Sequence, residues 1–186
     1  MMKATILYRT FLSVFFFLIS LSTASAREID PIVSADWLEA NLSNPRLAII
    51  DVRKVEYYRE GHIPGAVNIF FRAWSFKRGE LYSEMPELDD LFEMIGSAGI
   101  RSDSWVVVVG KTDTDQEIVH SSRVACTLQF AGVKSVAVLD GGHDKWVRDK
   151  KPQSTDIVRP KPIPYKSKVN PAMIADKPYV MDRLKT

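Results

Sequence analysis

Apolar residues follow two rhythms along this chain. Residues 47–50 form a short apolar run ending at Asp51, and 66–70 form another after the turn at Ile63, Pro64 and Gly65. Trp105–Val109 and 136–139 are further unbroken runs rich in β-branched residues. Runs of this length, bounded by turn residues, predict strands buried on both faces. Between them the apolar spacing changes to three and four. Leu88, Leu91, Phe92, Ile95 and Ala98 mark a helix over 86–98 that stops at Gly99, and a second over 118–131 stops at Gly132. Shorter helices are predicted over 54–60 and 143–150. Strands alternating with helices define an α/β class, a three-layer α/β/α domain around a mostly parallel central sheet.

The two ends differ from this middle. Lys3 and Arg9, the apolar run 11–21 and the small residues Ala24, Ser25 and Ala26 read as an export signal over 1–26. The run is too short to span a bilayer, so the mature chain is expected to be periplasmic or secreted and free of membrane. The domain then occupies 30–152. Pro152, Pro160, Pro162, Pro164 and Pro171 favour an extended path, and 153–186 reads as a basic, solvated linker leading into a helix. That last segment echoes the start of the domain. Val33, Trp37 and Leu42 are matched by Ile174, Tyr179 and Leu184, so a second copy of the unit is expected to begin there.

Composition excludes several classes. A formal charge of +2 is too small to argue for nucleic acid. One cysteine forms no internal disulfide, so packing must hold the fold. No glycine-rich nucleotide loop and no GxSxG elbow is present. His120 and His143 lack metal-ligand spacing with a cysteine or carboxylate pair, and neither metal nor cofactor is expected.

Two segments carry more than architecture. The first holds Asp51, Val52, Arg53 and Glu56, followed by Gly61, His62, Ile63, Pro64, Gly65 and Ala66. The second holds Leu139, Asp140, Gly141, Gly142 and Trp146. Together they resemble the two signature segments of the rhodanese family of sulfurtransferases, over about 32–152. In active members a cysteine follows the strand corresponding to Trp105–Val109. Its loop of backbone N–H groups favours the thiolate and an anionic sulfur donor. The thiolate takes the outer sulfur and passes it to a thiophilic acceptor.

That position is Gly110 or a close neighbour here, followed by Lys111, Thr112, Asp113, Thr114 and Asp115. The loop has no thiol, and with Glu117 it is acidic. Cys126 lies within a helical run beside Val124, Ala125 and Leu128, and reads as core packing rather than as a nucleophile. A phosphatase of related fold is disfavoured by the same missing loop cysteine. The chain is similar to the N-terminal, cysteine-less domain of a tandem rhodanese of the thiosulfate or 3-mercaptopyruvate type.

The resemblance implies a domain inactive alone. It would form one wall of a sulfur-transfer site completed by a catalytic rhodanese domain or a thiol acceptor protein. The alternative is an exported binding module for a protein or small anion. Arg53 and Arg123 are the candidates for contacting an anion, or for pairing with Asp51 or Asp140. His62, Pro64 and Gly65 are assigned to a structural turn, Gly141 and Gly142 to a helix entry, and Trp146 to packing.

Overall fold

The computed structural model describes residues 27–184; the export signal assigned to 1–26 lies outside them. Strands β1 (Ile32–Val33), β2 (Leu47–Asp51) and β3 (Ala66–Asn68) are followed by a hairpin, β4 (Phe76–Arg78) and β5 (Leu81–Glu84). Then come β6 (Trp105–Val109) and β7 (Ser135–Leu139). Five of these form one sheet in the order β1-β7-β6-β2-β3, every pairing parallel. Helices α1 (Ala35–Asn41), α2 (Val55–Glu60), α3 (Leu88–Ser97), α4 (Asp115–Phe130), α5 (Gly142–Arg148) and α6 (Lys177–Arg183) complete the order.

The central strand shows why the sheet is covered on both sides. Val106, Val107, Val108 and Val109 are all fully buried, and successive side chains point to opposite faces. Val106 and Val108 join Ile50 with Leu91 and Ile95 of α3 and Val124 and Leu128 of α4. Val107 and Val109 join Leu139 with Leu38 of α1, Tyr58 of α2 and Trp146 of α5. Each such aliphatic side chain contributes roughly 1.5–3 kcal/mol by leaving water. The fold is therefore the three-layer α/β arrangement that the apolar rhythm implies.

Four local readings differ. The run 66–70 stays a strand only to Asn68, because Phe71 turns inward and donates its N–H to Val52 O at 3.0 Å. Helix α4 begins before residue 118, with Thr114 as its cap accepting the N–H of Glu117. The Thr-x-x-Glu spacing is a capping signal. The β4–β5 hairpin has no sequence signature, since Phe76, Leu81 and Tyr82 are exposed and no period of two marks a core face. Cys126 is exposed rather than packed in the core; Val124 and Leu128 share one face of α4, and a residue two positions from each faces away.

The segment read as a solvated linker is docked. Ser154 and His62 exchange backbone hydrogen bonds at 2.8 and 2.9 Å, Ile163 donates to Gly96 O at 3.0 Å, and Asn170 donates to Phe130 O at 2.8 Å. Tyr165 is buried, with its hydroxyl donating to Ala131 O at 2.9 Å. Lys151 bridges Asp36 and Glu39 of α1. Beyond the strap, α6 and α1 share a capping geometry. Asp176 accepts the N–H of Tyr179 as Ser34 accepts that of Trp37.

Candidate functional site

The loop after β6 lies at the carboxyl edge of the sheet, where open α/β domains place their ligands. Gly110 leads it and is buried. A Cβ built there would stand 2.3 Å from Ser121 Oγ and 3.4 Å from Val52 Cγ2. Thr112 donates its N–H to Asp144 Oδ2 at 2.7 Å, and its hydroxyl lies 3.1 Å from Gly141 O. A carboxylate of the chain itself therefore takes a loop N–H that an external anion could otherwise use. Gly142 makes the close approach possible: it has φ +56°, and a Cβ there would meet Gly110 O at 2.4 Å.

The acidic residues of the loop are locally answered. Lys111 pairs with Asp113 at 2.5 Å. Asp113 also accepts a hydrogen bond from Glu117, which holds the Glu117 carboxyl above its usual range and the Asp113 carboxyl below it. Asp115 is exposed at the start of α4.

Beneath the loop, the sequence-predicted residues fall into separate structural roles. Asp51 and Arg53 are both buried and form a charge-assisted pair at 2.6 Å, with Arg53 also donating to Gly61 O at 2.9 Å. The bidentate geometry offsets the desolvation of two ions. His62 is fully buried, stacked on Tyr58 with ring centroids 3.8 Å apart. Its nitrogens face Tyr58 O at 2.7 Å and Asp156 O at 3.0 Å. Pro64 and Gly65 form the tight turn that returns Ala66 N–H to Ile63 O at 3.0 Å, with Gly65 at φ +81°. Trp146 is buried and donates to Pro152 O at 2.7 Å. Asp140 pairs with Lys145 at 3.3 Å.

The structure does not bring the two candidate arginines together. Arg123 bonds the carbonyl of Ser83 and lines a hollow beside Cys126 and Met173. Its Nε finds no partner among the described residues. His143 was weighed from sequence only as a metal ligand, and the structure gives it a different setting. It is buried behind the loop, its Nε2 finds no partner among the described residues, and burial with the nearby Arg53 charge lowers its pKa to about 4.

A cleft of about 450 Å³ opens over the loop. Gly110, Lys111, Glu117 and His120 form its floor and one wall, and Arg53 and Lys54 reach it from the end of β2. Arg72 and Lys77 come from the chain after β3. Phe71 stacks on His120 with centroids 3.7 Å apart, and Tyr82 of the hairpin closes the rim. Lys54, Arg72 and Lys77 belong to no motif. Their one sequence signal is position, immediately after or shortly beyond predicted strand ends.

These features meet in one family. The profile of the rhodanese-like domain matches residues 34–149, and the chain belongs to the rhodanese family. It is 33% identical over 123 residues to a putative thiosulfate sulfurtransferase of Synechococcus elongatus, covering 66% of this chain and 38% of that protein. It is 25% identical over 167 residues to the thiosulfate sulfurtransferase of Bos taurus, covering 83% and 56%. The crystal structure of the 3-mercaptopyruvate sulfurtransferase SseA from Escherichia coli superposes with a TM-score of 0.72 at 25% identity. That match covers 82% of this chain and 61% of SseA. The chain thus spans about half, or less, of the length of these curated relatives.

Proposed function

We propose that this rhodanese domain does not transfer sulfur by itself, and that it forms one wall of a sulfur-transfer site whose thiol comes from another domain or a partner chain. The observation that carries this reading is the position after β6. Gly110 stands there against Ser121, and Asp144 occupies the N–H of Thr112. A nucleophilic thiolate needs both a sulfur atom and a set of donors to stabilise it. The relatives named as thiosulfate sulfurtransferases support thiosulfate or a related sulfur donor as the substrate of the completed site. The chain's place in this scheme is outside the cytoplasm, after cleavage of residues 1–26.

Thiocyanate formation from thiosulfate and cyanide tests the reading. The chain alone gives no turnover above the uncatalysed rate. Adding a separately produced, cysteine-bearing rhodanese domain gives more turnover than that domain gives alone. Turnover by the chain alone that disappears in Cys126→Ser would overturn it.

A further inference from the structure

The cleft over the degenerate loop is a built cavity whose lining does not match the chemistry lost from the loop. Its volume, about 450 Å³, lies within the range of about 300–1,000 Å³ usual for small-molecule sites. Charge and flat ring surface meet inside it. Arg53 is answered by Asp51 and Lys111 by Asp113. The remaining positive charge on the wall comes from Lys54, Arg72 and Lys77, and Glu117 is the single carboxyl among the described lining residues. Asp113, its neighbour on the loop, holds the Glu117 carboxyl above its usual range.

Aromatic side chains share the lining. Phe71 stacks on His120, and Lys77 Nζ lies 4.8 Å from the ring centroid of Tyr82 on the hairpin. A cation held over an aromatic ring stays positioned for a second partner.

We infer that this cleft is a non-covalent binding site for a small organic anion with a flat, conjugated body, an aromatic carboxylate or sulfonate. Three features select that class. The cations are side chains on different segments, suited to one acidic group at the end of a molecule rather than to a buried polyanion. The N–H of Thr112 is already taken by Asp144, which removes one donor from a backbone cradle of the kind that holds phosphate. A compact, strongly hydrated anion such as thiosulfate gains nothing from Phe71, His120 and Tyr82, whereas a planar molecule covers them and excludes water. The cleft borders the same loop as the proposed sulfur-transfer wall, but binding is read on the chain alone, so the two readings fail separately.

Calorimetric titration of the purified mature chain with benzenesulfonate tests the proposal, using benzenesulfonamide as the uncharged isostere and thiosulfate as the anion without a ring. One-to-one binding of benzenesulfonate with Kd below about 1 mM is expected, with both comparison compounds weaker by roughly tenfold or more. Arg72→Gln with Lys77→Gln weakens benzenesulfonate by roughly tenfold or more while the circular dichroism spectrum and melting temperature stay unchanged. Amide chemical shifts of residues 71–82 and 110–120 move on saturation. No saturable heat up to about 10 mM would overturn the site. So would equal binding of the sulfonamide, or indifference to the double substitution. Thiosulfate binding as tightly as benzenesulfonate would overturn the ligand class.

Discussion

A Cβ on Gly110 would lie 2.3 Å from the hydroxyl oxygen of Ser121. The two residues stand where a strand hands over to the helix that covers it, and the contact leaves the loop no room for a side chain at its first position. The absence of a thiol here is thus more than one missing atom group. The side chains of Ser121 on α4 and of Val52 after β2 close in on the glycine.

Gly110→Cys is therefore expected to destabilise the domain by about 1–3 kcal/mol through overpacking, and to give no thiocyanate from thiosulfate and cyanide. Combining it with Ser121→Ala removes the obstructing oxygen and restores most of the stability. Activity stays absent, because Asp144 still holds the N–H of Thr112. Urea titration and the colorimetric assay read the two effects separately. Turnover by Gly110→Cys alone would show that the loop is closer to an active one than its geometry indicates.

The Asp51–Arg53 pair gives a second prediction. Arg53→Met leaves a buried carboxylate without its partner, and breaking a buried pair in this way costs about 3–5 kcal/mol. The double variant Asp51→Asn, Arg53→Met removes the orphaned charge and regains a large part of the loss. A double-mutant cycle by chemical denaturation checks this, and equal stabilities for the two variants would contradict it.

His143 supplies a pH dependence with a defined sign. Its pKa is held at about 4 in the folded domain, first by burial and then by Arg53, against about 6.5 for an unperturbed imidazole. The unfolded chain binds more protons between those values. This contribution is therefore complete above about pH 6.5 and is lost as the pH falls toward 4, by on the order of 2 kcal/mol. Carboxylates titrate in the lower part of the same window, so the readout is the difference between the wild type and His143→Leu. The variant has the shallower loss of stability on acidification; parallel curves would exclude the assignment.

Cys126 is expected to behave as a surface thiol. A disulfide reagent titrates one thiol per folded chain at a rate near that of the denatured protein, and Cys126→Ser changes stability by less than about 0.5 kcal/mol. Protection of the thiol until denaturant is added would contradict its exposure on α4.

The sheet was legible because β2, β6 and β7 are unbroken apolar runs, the pattern of strands covered on both faces. The partnership of Asp51 and Arg53 was legible as one of two options, since residues two apart project on the same side of an extended chain. The hairpin was not, because both of its faces meet solvent and its residues carry no alternation. Cys126 was misjudged from the company of Val124 and Leu128 instead of from the angle it makes with them around the helix. The cleft was hidden for another reason. Arg72 and Lys77 precede Gly110 and His120 by more than thirty residues, and the sheet order brings the two segments to one cleft.

The outermost strand has a consequence for how the molecule assembles. Ile32 and Val33 pair with Val138 and Leu139, more than a hundred residues further along. The first strand to be synthesised therefore has no partner until nearly the whole domain exists, and the entropy of closing so long a loop must be met before that contact returns anything. Native pairings of high sequence separation slow folding relative to helical proteins. Until β1 arrives, the edge of β7 stands open as a template for another chain. Refolding yield should accordingly fall with protein concentration sooner than native stability alone would suggest.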